Sequence, residues 1–179
     1  MTKAVSKEGM IIDESQPRVT RLLAHFFSYI FHPVFIPVYI CWFLLWQHPY
    51  IFSGVGAADK IMLLIRFAVM YILFPTVTIG LLKGLGFIES IQLKTQKDRI
   101  IPYIACGVYY FWMWYVFRNQ PQIPNELVKL SFAIFIASSA GLMANIYMKI
   151  SMHGIGAGVM LAFIMLLGLT QTVNLNLYI

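Results

Sequence analysis

Two polar clusters interrupt an otherwise apolar chain. The first runs Lys94-Thr95-Gln96-Lys97-Asp98-Arg99 and continues Ile-Ile-Pro102-Tyr103; the second is Lys149-Ile150-Ser151-Met152-His153-Gly154. Lys94, Lys97, Arg99 and Lys149 can neutralise phosphate oxygens, and Arg99 can do so through two parallel N–H donors. Ser151 offers a hydroxyl, and a glycine-rich helix start offers backbone N–H groups to an anion. His153 can hand a proton to a leaving group near neutral pH. The chemistry these residue types share is the handling of a phosphoryl group. Each also has a plainer use. Lys and Arg in short connectors set membrane topology, Lys149 can snorkel from a helix end, and Ser151 can cap the helix in whose first turn His153 lies.

The elements that must carry these clusters follow from composition. The chain has 179 residues, of which 60% are hydrophobic and 11% charged, against roughly a quarter charged in a soluble domain. Residues 22–58, 100–117, 130–148 and 150–179 hold no charge at all. Such a surface cannot be solvated, so the expected class is an all-α, polytopic transmembrane helical bundle. A helix needs about 20 residues to cross the hydrocarbon. About five membrane-spanning helices are expected, at 22–46, 61–82, 100–118, 127–148 and 153–172, with the start of a sixth at Leu177-Tyr178-Ile179. Residues 1–21 mix Lys3, Lys7, Arg18 and Arg21 with Glu8, Asp13 and Glu14. They read as a polar tail, mobile or lying on the surface, not as a cleavable signal. The remainder, 22–179, reads as one transmembrane domain. Helix parity brings the two clusters to one membrane face, because the chain leaves that face after the first cluster and returns before the second.

The net charge of +6 does not point to nucleic acid, since the cations sit between apolar spans. Nine Lys and Arg fall on the side of the N-terminus and four on the other, which favours a cytoplasmic N-terminus. Without Lys94, Lys97, Arg99 and Lys149 the count is five against four. Trp42, Trp46, Trp112 and Trp114, with Tyr50, Tyr109, Tyr110 and Tyr115, gather toward the opposite face as an interfacial belt. Cys41 and Cys106 lie inside spans and read as small buried hydrophobes. Pro33, Pro37 and Pro75 predict kinks or breaks. Ala133, Ala137 and Gly141, and the Gly154-x-x-x-Gly158 pair, predict close packing of the last two spans at the centre of the bundle. Arg66 is the one charge well inside a span, near the interface or paired with Asp59.

With those residues on the page, the chain resembles the type 2 phosphatidic acid phosphatase superfamily, the integral-membrane lipid phosphatases, and within it small bacterial members with a His-Pro in the first helix, here His32-Pro33. The family's first motif is a Lys, six residues, then Arg-Pro. Arg99 matches the Arg, while the Lys is offset to Lys94 or Lys97 and the Pro comes late, at Pro102. The second motif is Pro-Ser-Gly-His; Ser151 and His153 match, and Ile150 and Met152 stand for the Pro and Gly. The resemblance implies metal-independent, cofactor-free dephosphorylation of a lipid phosphate or polyprenyl pyrophosphate in the bacterial inner membrane. Arg99 with Lys94 or Lys97 would hold the phosphate, joined by Lys149. Ser151 would hydrogen-bond it, and His153 would act as the catalytic acid. The third motif, with the nucleophilic His, has no counterpart, because no His follows His153. The expectation is therefore a phosphatase-like protein truncated before that motif and inactive as written. The alternative is a non-catalytic membrane subunit or lipid-binding partner; a transporter component is a third reading, weakened by the lack of intramembrane acids.

Overall fold

The computed structural model describes residues 17–48, 51–91, 93, 95–148 and 150–176. Two compact units are present, Met1–Phe31 and His32–Ile179. Every regular element among the described residues is helical: α1 (Arg18–Ile30), α2 (Ile36–Gln47), α3 (Ala57–Ala68), a π turn (Val69–Leu73), α4 (Phe74–Gly84), α5 (Gln96–Arg118), α6 (Asn125–Tyr147) and α7 (Met152–Asn176). Among the described residues, four helical runs are long and apolar enough to cross a membrane: Ala57–Gly84, Gln96–Arg118, Asn125–Tyr147 and Met152–Leu169. The expected polytopic α-helical bundle is thus what the chain forms. The polar tail up to residue 16 and the apolar start at 177–179 lie outside the described residues.

The span expected at 22–46 is not one helix. It is α1 and α2, separated at residues 31–35. Pro33 has no N–H to donate and pushes the preceding residue, His32, away from helical dihedrals. A turn replaces the helix, with the Phe35 N–H on the His32 carbonyl at 2.9 Å. Pro37 then sits in the first turn of α2, where its missing donor has no helical acceptor to satisfy. At 12 residues, α2 is about 18 Å long, short of a full crossing. α1, in the first unit, carries Val19, Leu22, Phe26 and Ile30 at helical spacing, all exposed, as one apolar stripe.

Pro75 produces a different device. Its ring cannot lie against the carbonyl one turn back, and the chain answers with five π residues, so the Phe74 N–H reaches the Val69 carbonyl. The run of 28 residues continues through this defect. α4 closes with a Schellman motif: the Phe87 N–H donates to the Leu82 carbonyl (2.9 Å) and the Gly86 N–H to the Lys83 carbonyl (3.2 Å). Gly86 takes φ +78 there, which a side chain would resist.

In the second unit α5 and α6 share the most extensive helix–helix contact, α2 packs on α3, α4 on α5, and α7 on α6 and α2. The core holds Leu44, Leu45, Phe67, Tyr71, Phe117, Leu127 and Leu130, each essentially inaccessible. Phe67 stacks on Tyr71 at 5.0 Å between ring centroids, and Tyr71 on Tyr110 at 5.1 Å. Cys41 is buried there and Cys106 half-buried, both as thiols.

Only half of the predicted central helix pair is central. α6 is, but no residue in the spanning window of α7 is buried. The buried small and polar positions of α6 are Ser131, Ser138, Gly141 and Asn145, one row over from Ala133 and Ala137. On α7 the close approach is at Gly156, where an added Cβ would lie 2.8 Å from Ile36 Cδ1 and 3.1 Å from Pro33 Cβ, whereas Gly158 meets nothing within 4 Å. The small-residue rule holds, but which glycine it applies to depends on helix rotation.

Candidate functional site

α5 begins at the first polar cluster because Thr95 caps it. In extended conformation, Thr95 accepts the Asp98 N–H on its hydroxyl at 3.1 Å. Asp98 sits in the first turn, where the helix dipole favours a carboxylate. It is buried, and its Oδ1 accepts the Glu89 N–H at 3.3 Å. The α4–α5 loop is thereby tied to the start of α5. Gln96 does the same for α6. Its Nε2 donates to the Asn145 carbonyl and to the Ile146 carbonyl (2.9 Å), and the Asn145 Nδ2 donates back to the Gln96 carbonyl (3.0 Å). The last carbonyls of α6, which a helix end leaves unpaired, are met by a side chain from α5.

Arg99 joins the two polar clusters directly. Its Nε donates to the Leu93 carbonyl at 2.8 Å, and a terminal nitrogen donates to the Ile150 carbonyl. Leu93 is buried and held at φ +51, a left-handed conformation that a leucine adopts at a cost of roughly 1–2 kcal/mol. The Arg99 bond to its carbonyl is one of the contacts that hold it there. Tyr103, one turn beyond Arg99 on the same face of α5, has a buried hydroxyl with no partner among the described residues.

α7 begins at the second cluster. Ser151 caps it, its hydroxyl accepting the Gly154 N–H at 3.2 Å while its carbonyl accepts from Ile155 at 3.1 Å. His153 follows in the first turn, exposed, with its ring edge-on to His32 at 5.3 Å between centroids. His32 lies in the turn before α2. Its Nδ1 accepts the Val34 N–H at 3.4 Å, so in the neutral ring the proton resides on Nε2. Burial, and then the charge of His153, hold the His32 imidazole below its usual range.

The two clusters that parity assigned to one face do meet. Arg99, Ser151 and His153 stand at one end of the bundle, with Lys97 exposed in the first turn of α5. Lys94 and Lys149 lie outside the described residues. The structural uses foreseen for Ser151 and His153, a cap and a first-turn residue, are both present alongside any chemical one. Sequence reasoning assigned no role to Gln96, Asp98 or Asn145, and read His32 only as the His-Pro residue of the first helix, used for packing or hydrogen bonding. Two signals were available: the Thr95-x-x-Asp98 spacing of a capped helix start, and Asn145 as a strongly polar side chain late in an uncharged span. Comparison of the chain with models of known families, with characterised proteins and with solved structures gave no match to any of them.

Proposed function

We propose that this chain binds and dephosphorylates a lipid phosphate in the bacterial inner membrane, in the manner of the type 2 phosphatidic acid phosphatases. The observation that carries the reading is the Arg99 bond to the Ile150 carbonyl, which links the basic start of α5 to the Ser-His start of α7. Arg99 gives two N–H groups to backbone carbonyls; a guanidinium has five, so three remain to face phosphate oxygens. Lys97 supplies a second positive charge, and Lys94 and Lys149 belong to the same clusters. The Ser151 hydroxyl accepts its capping bond and still has its own hydrogen to donate to a phosphate oxygen. A water attacks phosphorus as the lipid P–O bond breaks and inorganic phosphate departs, while His153 protonates the departing lipid oxygen, so the lipid leaves as an alcohol rather than an alkoxide. No metal enters this scheme. Phosphatidate, phosphatidylglycerol phosphate and a polyprenyl pyrophosphate are the substrate classes.

A second reading, a non-catalytic lipid-phosphate-binding subunit, is favoured by His32. It is the imidazole in contact with His153, but its Nδ1 lone pair takes the Val34 N–H and its Nε2 carries the proton. Neither nitrogen is poised to attack phosphorus.

The experiment is phosphate release by the purified protein in detergent with EDTA, run beside binding of the same lipids. Release that His153→Ala abolishes supports the enzyme. Binding without release, weakened by Lys97→Gln and Arg99→Gln, supports the subunit. A protein that neither binds nor hydrolyses any of the three lipids overturns both.

A further inference from the structure

We infer a second lipid site, for the phosphate-bearing headgroup of an anionic phospholipid, at the end of the bundle opposite Arg99 and independent of the site described above. A groove of about 480 Å³ opens between the Ala57–Gly84 run and the C-terminal half of α5. Met70, Phe74 and Trp112 form part of its apolar wall, and Arg66, Gln120 and Gln122 are its polar members. Arg99 and Gln120 are separated by most of α5, about 30 Å of helix rise. The two sites therefore lie at opposite membrane faces.

Arg66 is the reason to assign a ligand. It lies about 14 Å along α3 from Ala57, is exposed, and faces a groove that is mostly apolar. The partner considered from sequence, Asp59, is two turns away and forms no ion pair with it; among the described residues no carboxylate comes within ion-pair range of Arg66. A cation at that depth in an apolar setting calls for an anionic partner. The groove contains no Asp or Glu, so no carboxylate in it would pair with the ammonium of a zwitterionic lipid. Two amides are at hand to donate to phosphate oxygens: Gln122 Nε2 already reaches Gln120 Oε1 at 3.4 Å, and each amide has further N–H groups. Depth fits as well. Trp112 is 54% exposed at the groove, and it belongs to the tryptophan belt that marks headgroup level. A phosphate on Arg66 would leave its acyl chains to run along Met70 and Phe74. Basic pockets between membrane helices take anionic headgroups in this way.

The test is native mass spectrometry of the full chain released from detergent after exposure to phosphatidylglycerol or phosphatidylcholine. Wild type should retain phosphatidylglycerol roughly tenfold better, as expected for a charge-assisted pair. Arg66→Gln should fall to the phosphatidylcholine level, and Arg66→Lys should keep most of the preference. Lys129→Gln, an exposed cation near the start of α6 and outside both sites, should match wild type, and inorganic phosphate should not displace the lipid. The Gln120→Ala, Gln122→Ala double variant, in an exposed loop, gives a second reading with a loss of about threefold. Equal retention of both lipids by wild type overturns the proposal. So does full retention by Arg66→Gln, an equal loss in Lys129→Gln, or displacement by free phosphate. A change from dimer to monomer in Arg66→Gln with unchanged lipid per chain would assign the groove to a second copy instead.

Discussion

The clamp between Gln96 and Asn145 holds the two polar clusters in register, and substitutions at Asn145 measure its strength. The side chain is 0% exposed, donates from Nδ2 to the Gln96 carbonyl at 3.0 Å, and leaves Oδ1 without a partner. Asn145→Ala removes one neutral hydrogen bond, about 1 kcal/mol net. It opens a small cavity, about 1–2 kcal/mol, and relieves the unpartnered oxygen, about 1 kcal/mol in return. The Gln96 carbonyl keeps its place in the α5 ladder, so it is not orphaned. The expected loss is about 1–2 kcal/mol. Asn145→Asp preserves shape but sets an acceptor against the Gln96 carbonyl. Asn145→Asp should therefore be worse than Asn145→Ala by about 2 kcal/mol, since it buries an acceptor with no donor to meet, or roughly 4–8 °C in melting temperature. Thermal unfolding in detergent with a thiol-reactive dye reads this directly, because Cys41 is fully buried until the bundle opens. An Asn145→Asp protein as stable as Asn145→Ala would refute the reasoning.

Three further outcomes follow from the geometry. Gly156→Leu should destabilise the protein by about 1–3 kcal/mol, because its side chain would meet Ile36 and Pro33, while Gly158→Leu should change stability by less than about 0.5 kcal/mol; the same dye assay ranks them. His32 is held below the usual imidazole range by burial and by the charge of His153, so its contribution is complete above pH of about 6.5 and lost as pH falls through the lowered folded value. Melting temperature should accordingly fall as pH is lowered below about 6.5 in wild type and fall less in His32→Gln. Tyr103→Phe deletes a buried hydroxyl that has no partner, so stability should hold or rise, and a loss above about 1 kcal/mol would show an overlooked bond.

Much of the architecture was legible because its causes are local. Uncharged stretches of helical length mark spans whatever they pack against, and prolines announce breaks: Pro33 ends a helix, and Pro75 forces a π turn. The convergence of Arg99 with Ser151 and His153 was legible for an equally simple reason, since counting crossings requires no side-chain detail. What escaped depends on rotation and pairing. Ala133 and Ala137 looked like the contact row of α6, yet the buried row is Ser131, Ser138, Gly141 and Asn145, and nothing in one sequence fixes which face turns inward. Arg99 read as a phosphate ligand, but its bonds to the Leu93 and Ile150 carbonyls involve backbone, which carries no sequence signal. The same holds for Gln96, whose partners are carbonyls at the end of another helix.

The π turn at Val69–Leu73 gives its helix a phase shift. A π turn holds one more residue than an α turn, so side chains after it are rotated by about a quarter of a turn from where an unbroken α-helix would aim them. That is how one continuous rod serves two neighbours, with α3 against α2 before the defect and α4 against α5 after it. The pair formed by Thr78 Oγ1 and Tyr109 OH, at 2.8 Å, depends on that rotation. The rod therefore has an unusual response to length changes. Removing one residue from within 69–73 would return the backbone to α geometry while leaving both halves aimed as they are now, provided the ring of Pro75 is also removed. Removing one residue elsewhere in the run would throw one half out of phase with its partner.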